Sequence, residues 1–230
     1  MFSYNISDMS KIKLTLIENQ GSRDIVFTVR QLFCGGFTGR NQEVVRQHIK
    51  EMASVGISPP EKTPAVYHIS PYLITYDNEI EVVGENTSGE VEPVLLIGSK
   101  ETYLTVGSDQ TDRNIERLSY PKSKQLCNKI ISRQVWRYSE VQDHYDELII
   151  RSIVVKNGQK YLYQEGSVKT VMNPHDLLQL CDIKIENMIL FAGTIPTKTN
   201  RLIFADWYQI ELIDPILNRI ITHTYNVKVI

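Results

Sequence analysis

The sequence predicts a single mixed α+β domain in which strands dominate, and three observations lead there. Short apolar or alternating segments recur along the chain between turn signals, which is the pattern of strands. Helical periodicity is confined to a few stretches that do not alternate regularly with the strands, which argues against a doubly wound parallel sheet. At 230 residues the chain can bury one sizeable core, and 42% apolar with 23% charged residues is the balance of a soluble globular protein.

Each element follows from its residues. Lys and apolar residues alternate over 12–16 (Ile12, Leu14, Leu16), a half-buried strand, and 24–29 makes a second. Cys34-Gly35-Gly36-Phe37-Thr38-Gly39-Arg40 reads as a glycine-rich turn between a strand and a helix. Its spacing fits neither the dinucleotide nor the triphosphate loop. Asn41 caps a helix over 43–54, with Glu43 in the first turn and Val44, Val45, His48, Met52 and Val55 near one face. Gly56 and Pro59-Pro60 end it. Strands follow at 65–69, 79–83, 91–97 and 103–106. A second helical stretch spans 122–134, and 139–147 reads as another helix. Asn157-Gly158 joins 147–155 to 160–164 as a hairpin with a tight primed turn. A short helix covers 174–180, and late strands cover 188–192, 206–213 and 219–229. No repeat, low-complexity tract or linker divides residues 1–230.

The bulk chemistry narrows the partners. A net charge of -2 with no long basic block argues against a nucleic acid or an anionic membrane surface. Cys34, Cys127 and Cys181 are odd in number, far apart and without metal-type spacing, so free thiols in a reducing cytoplasm are expected. The first residues, Met1-Phe2-Ser3-Tyr4-Asn5, lack a basic segment followed by an apolar stretch, and no run approaches a membrane span. A cytoplasmic, soluble protein is expected.

Glu90-Val91-Glu92 and Asp109 carry the chemistry. The stretch from Glu90 to Gly98 reads as a strand, so Glu90 and Glu92 point to one face and Val91 to the other. Two parallel carboxylates repel unless a cation or proton lies between them. Asp109 arrives at the end of the next apolar run. Three oxygen ligands of this kind suit Mg²⁺ or Mn²⁺ before zinc. The competing reading is a solvated strand face.

Several stations, in order, resemble the fumarylacetoacetate hydrolase superfamily. His48-Ile49-Lys50-Glu51 resembles its His-x-x-Glu dyad on a short helix, followed by prolines at Pro59, Pro60 and Pro64. Glu90-Val91-Glu92 resembles its Glu-x-Glu metal pair, and Asp109-Gln110-Thr111-Asp112-Arg113 its Asp-x-Thr-Ala-Arg-Asp segment, with Asp112 in the place of a small residue. Lys124 resembles the lysine that follows. Asn157-Gly158 and Gln164 resemble its hairpin and downstream Gln, and Ala192-Gly193-Thr194-Ile195-Pro196 its Thr-Gly-Thr-Pro turn. The resemblance spans roughly residues 30 to 230 and is to a divergent branch of unassigned function.

The resemblance implies a rolled β-sandwich or barrel with a short N-terminal lid helix, in which residues 1–30 form a strand pair packed on a 31–230 core. It implies a homodimer and a small carboxylic acid substrate. Glu90, Glu92 and Asp109 would hold Mg²⁺ or Mn²⁺, with Ca²⁺ as a further candidate. The implied chemistry is hydrolysis of a carbon–carbon bond in a 2-oxo or 2-hydroxydienoic acid through a metal-stabilised enolate. Decarboxylation or isomerisation uses the same enolate, and a non-catalytic binding protein could keep the same fold. His48 and Glu51, three apart, share a helix face, so the carboxylate can orient the imidazole as a general base. An exposed pair at that spacing is the plain alternative. Lys124 would put positive charge beside the developing oxyanion, with Lys122 and Lys129 as competitors for that part. Gln164 and Thr194 are candidates for gripping the substrate carboxylate. Arg113 could grip it with charge or pair with a local carboxylate. His68, His144, His175 and His223 show no paired spacing and read as structural.

Overall fold

The computed structural model describes residues 10–54, 56, 58–183, 186–199 and 201–230. Two large sheets share a core. The larger has ten strands among the described residues. Its main path runs Gly21–Val29, Ser10–Glu18, Gln134–Arg137, Thr102–Asp109, Val91–Ile97, Met188–Phe191, Gln31–Gly36, Ala65–Ile69. Lys129–Ile131 extends the ladder of the 102–109 strand and also pairs with Ile74–Thr75. The smaller sheet has five strands, in the order Gln159–Ser167, Ile149–Lys156, Trp207–Asp214, Arg219–Val229, Glu79–Val82. Both sheets are mixed: 10–18 runs parallel to 134–137, 31–36 to 188–191, and 79–82 to 219–229.

The strand Val91–Ile97 is buried on both faces, and the two faces belong to different cores. Val91 and Leu95 pack with Leu104, Val106 and Trp136, and with Ile150, Ile210, Leu212 and Ile221 of the smaller sheet. Val94 and Leu96 point the other way, among Leu14, Leu16, Leu32, Cys34, Ile189 and Phe191. The larger sheet curls around this second core, as twisted sheets do when one face must be covered by the sheet itself. Glu92 has the parity of Val94 and Leu96 and therefore enters that hollow.

Most predicted elements stand where the residues place them. The hairpin turn at Asn157 (φ 51°) and Gly158 (φ 76°) has both residues in the left-handed region, as a primed turn requires. The helix Pro174–Leu180 is as expected. The helix Gln42–Ser54 is capped by Asn41, whose Oδ1 accepts from the amides of Glu43 at 3.0 Å and Val44 at 3.3 Å. Only Val45 is buried among its described residues, so the expected apolar face is narrow, and Val44 is exposed. Val55 lies outside the described residues, as do Met1 to Asn5 and the start of the 1–30 segment.

Three expectations fail. Cys34, Gly35 and Gly36 belong to the strand Gln31–Gly36, not to a turn, which begins at Phe37 (φ 57°). Gly35 serves close packing instead: a Cβ there would lie 3.1 Å from the Phe191 carbonyl oxygen. The predicted helix over 122–134 is the short helix Tyr120–Gln125 followed by the strands Lys129–Ile131 and Gln134–Arg137. Pairing with 102–109 buries Ile130 and Ile131 completely, and β-branched residues favour that outcome. The stretch 139–147 forms two 3-10 turns, Tyr138–Glu140 and Gln142–Glu147, with His144 at φ −128° breaking the helical course. No helix among the described residues is long and apolar enough to cross a membrane.

Candidate metal centre

Glu90 and Asp109 face each other across two antiparallel strands. The Asp109 amide donates to the Glu90 carbonyl at 2.9 Å, and the Glu90 amide to the Asp109 carbonyl at 3.2 Å. Residues opposed in this way present their side chains on one face. Glu92, two positions on, shares that face and lies opposite Gly107. Only glycine fits there, since a Cβ would come within 2.6 Å of both Phe191 and Val94. The three carboxylates converge, each offering an oxygen, and these oxygens lie within 4.8 Å of one another. Asp109 is fully buried, Glu92 is 1% exposed and Glu90 is half-buried. An all-oxygen set so spaced fits a hard divalent cation.

Cations already surround the cluster. Lys129 is the cross-strand neighbour of Asp109 on its other side, so Glu90, Asp109 and Lys129 form one row across three strands. Lys129 Nζ lies 2.9 Å from Asp109 Oδ1 and donates to the carbonyls of Gln110 and Cys127 at 2.6 and 3.1 Å. Lys124, from the helix 120–125, donates a short hydrogen bond to Asp109 Oδ2 and lies 3.9 Å from Glu90 Oε2. Arg113 Nη2 lies 3.1 Å from Glu90 Oε1, while its other nitrogens donate to Ser88 Oγ at 2.7 Å and to Glu116 at 2.9 Å.

The two fully enclosed carboxylates feel opposite fields. Burial raises the Glu92 carboxyl well above its usual range, and neighbouring Asp109 pushes it further. Burial would raise Asp109 too, but Lys124 and Lys129 hold it well below the usual range. Burial would lower the Lys124 ammonium, yet Asp109 and Glu90 raise it well above its ordinary value. Asp109 is thus a settled anion. Lys124 draws Glu92 down only in part, no ion pair to Glu92 forms among the described residues, and its Oε2 accepts the Gly193 amide at 2.7 Å. Gly193 has φ 108°, and a Cβ there would sit 1.8 Å from Thr38 Oγ1, so the position demands glycine.

The predicted substrate-gripping residues are occupied with the chain itself. Gln164 is 1% exposed; its Oε1 accepts from the Val91 amide at 3.0 Å, and its Nε2 donates to Thr194 Oγ1 at 2.8 Å and the Ile195 carbonyl at 2.6 Å. Thr194 Oγ1 donates to the Val91 carbonyl at 2.8 Å. Both brace the segment that carries Glu90 and Glu92. Arg113 pairs with local carboxylates, the second of the two roles open to it. Asp112 caps the short helix Arg113–Glu116 by accepting from the Asn114 and Ile115 amides at 2.9 and 3.0 Å.

His48 and Glu51 stand apart from this assembly. Both are exposed on the helix 42–54, and Glu51 accepts from Gln47 Nε2 at 3.0 Å rather than orienting His48. The other histidines have structural surroundings: His68 stacks on Phe33, and His144 lies 3.1 Å from Asp214 Oδ1. A cavity of about 450 Å³ opens at Glu116, the partner of Arg113. Tyr67, Tyr120, Glu116, Pro59 and Pro60 line part of it. Tyr67 is the register partner of Cys34 and so shares its face of the sheet. Lys129, in the sequence a competitor of Lys124, and Gly193, in the sequence part of a turn motif, are both built into the site. Lys129 falls in the stretch expected to be helical, and the apolar pair Ile130-Ile131 beside it is the local strand signal.

A sequence profile described as a protein of unknown function, DUF2848, matches residues 35–225. The chain belongs to the DUF2848 family. No curated protein matches it. Solved structures do, and they place this DUF2848 member in the fold of the fumarylacetoacetate hydrolase enzymes. A 2-keto-3-deoxyarabinonate dehydratase is similar with a TM-score of 0.61 at 15% identity, over 93% of this chain and 78% of the other. The structure described as Cg1458 has a TM-score of 0.61 at 13% identity, over 92% and 81%. The 4-oxalocrotonate decarboxylase of Pseudomonas putida G7, complexed with calcium and acetate, has a TM-score of 0.53 at 12% identity, over 86% and 76%. At these identities the likeness is one of fold.

Proposed function

We propose that the chain is a divalent-metal-dependent enzyme acting on a 2-oxo or 2-hydroxydienoic acid through an enolate, and that its reaction is hydrolysis of a carbon–carbon bond. The observation that carries the reading is the convergence of Glu90, Glu92 and Asp109 within 4.8 Å beside a buried lysine. The 2-keto-3-deoxy-D-arabinonate dehydratase of the same fold is known in complex with magnesium and 2,5-dioxopentanoate, which supports a 2-oxo acid as the ligand. When bound, Mg²⁺ or a similar ion supplies Lewis acidity that polarises the 2-oxo group.

The chain's own residues do the rest. Glu90, Glu92 and Asp109 hold the ion. Lys124 turns its ammonium from Asp109 toward the substrate oxygen on which charge develops. Arg113 keeps Glu90 in place, and Gln164 and Thr194 keep its strand in place. For hydrolysis, the helix 42–54 must approach so that His48, oriented by Glu51, takes a proton from water. The water oxygen then bonds to a second carbonyl carbon further along the substrate, that carbon leaves as a carboxylic acid as the carbon–carbon bond breaks, and the electron pair of the bond passes to the 2-oxo side as its enolate. The substrate tail extends into the cavity lined by Tyr67 and Tyr120.

The exposure of His48 and Glu51 favours a second reading, a lyase or isomerase of a related 2-oxo acid that needs no activated water. Titration with Mn²⁺ tests the shared part. Glu92→Ala is expected to lose Mn²⁺ binding, and binding equal to the parent's sinks the site assignment. Product analysis with a panel of 2-oxo acids separates the readings: His48→Ala abolishes hydrolysis in the first and leaves turnover intact in the second. Parent protein that binds Mn²⁺ and oxalate but turns over none of the panel points to a binding protein.

A further inference from the structure

Lys129 has no task in that chemistry, yet it is built into the site as firmly as the carboxylates. It is completely buried. Its ammonium meets three acceptors, Asp109 Oδ1 at 2.9 Å, the Gln110 carbonyl at 2.6 Å and the Cys127 carbonyl at 3.1 Å, so its three donors are all used. Its backbone is locked into a strand pairing with Asp109 itself. Lys124 contrasts with it: it sits near the end of a six-residue helix, and Asp109 Oδ2 and Glu90 Oε2 are the acceptors within its reach. Lys124 is placed to move, and Lys129 is not.

The charges make this consequential. Glu90, Glu92 and Asp109 face Lys124, Lys129 and Arg113, the last shared with Glu116, so internal cations already offset much of the charge of the ligand set. A divalent ion entering alone is repelled by two ammoniums in a buried, weakly screened space. A chelating acid that enters with it cancels that repulsion.

Resting on the metal-enzyme reading above, we propose that Lys129 is a positioning residue, a permanent counter-ion that holds one Asp109 oxygen and makes the divalent-ion affinity of the cluster depend on an anionic chelating acid bound with the ion. Asp109 then acts through its other oxygen. Lys124 can leave that oxygen because Lys129 continues to neutralise the carboxylate.

The test is Mn²⁺ binding by the full chain, followed by electron paramagnetic resonance at fixed free Mn²⁺, with and without oxalate. In the parent protein oxalate is expected to tighten Mn²⁺ by at least about tenfold, and the coupling is reciprocal. In Lys129→Met, Mn²⁺ alone is expected to bind about tenfold tighter than in the parent, with a smaller gain from oxalate. Mn²⁺ should also raise the melting temperature of Lys129→Met more than that of the parent. Arg219→Met, which removes a half-buried charge from the Asp214 and Glu140 pairs, should lower the melting temperature and leave both Mn²⁺ constants unchanged. Equal Mn²⁺ affinity in the parent and Lys129→Met overturns the proposal. If Lys129→Met does not fold even with Mn²⁺, the parent decides: no tightening by oxalate overturns it, and tightening sustains it. A parent that binds no Mn²⁺ under either condition instead overturns the metal assignment on which it rests.

Discussion

Asp109 and Glu92 sit buried on paired strands amid fixed partners, whereas His48 and Glu51 stand exposed on a helix that buries only Val45. The carboxylate cluster inherits its geometry from sheet register, which a neighbouring side chain cannot shift without moving a strand. The helix inherits little beyond its own cap and a link from Arg40, just before it, to Asp146. A site divided in this way has a rigid part that can hold ligands at set distances. It also has a weakly anchored part that can approach or withdraw, as elements with few buried contacts do.

Substitutions on the two sides should therefore differ in kind. The largest effect is expected for Asp109→Asn, which leaves two buried ammoniums without their anion. Removing one partner of a buried pair costs about 3–5 kcal/mol, and denaturant unfolding should show it. A loss below about 1 kcal/mol would mean that the cluster is far less committed than its burial implies. Gly193→Ala comes next. It forces a Cβ into Thr38 in a left-handed backbone, so a loss of roughly 2 kcal/mol and weaker Mn²⁺ binding through Glu92 are expected together. Stability lost without any change in Mn²⁺ binding would separate the Gly193 amide from the site. On the helix side, Asn41→Ala removes a cap and should cost about 1 kcal/mol.

The smallest effect on folding sharpens the contrast most. His48→Ala is expected to change stability by less than about 0.5 kcal/mol, the range for exposed positions, whatever it does to turnover. A clear loss in the same unfolding experiment would show the helix to be anchored, and the division into rigid and mobile parts would fail. Away from both regions, Asp214 gives an independent control. Burial would raise its carboxyl, but the Leu217 amide, His144 and Arg219 bring it below its ordinary 3.8. A depressed carboxylate contributes stability above the ordinary carboxyl range and loses it as pH falls through the folded value. The acid limb of a stability–pH curve should flatten in Asp214→Asn.

Much of this was legible in the residues. Alternation locates most strands, Asn41 announces its helix, and the spacing of Glu90, Glu92 and Asp109 points to the cluster that their oxygens form. What escaped did so for one reason. Lys129 lies inside the stretch 122–134 that reads as helical, and its real partner, the strand 102–109, lies outside any local window. Gly35 and Gly36 looked like a turn because glycine marks turns more often than tight sheet packing. Gln164 and Thr194 suggested ligand contacts because their hydrogen bonds to Val91 and to each other exist only once three segments meet.

The period of side chains along a strand is a property of the backbone, so the chain alone determined that Glu90 and Glu92 share a face and that strands outnumber helices. Which residue stands beside which across a ladder is settled by long-range pairing. Only the folded protein decided that Lys129 neutralises Asp109 and that a glycine amide 101 positions away braces Glu92. A buried charge needs a partner from somewhere, and hydrophobic packing of the sheets selects the register that supplies it.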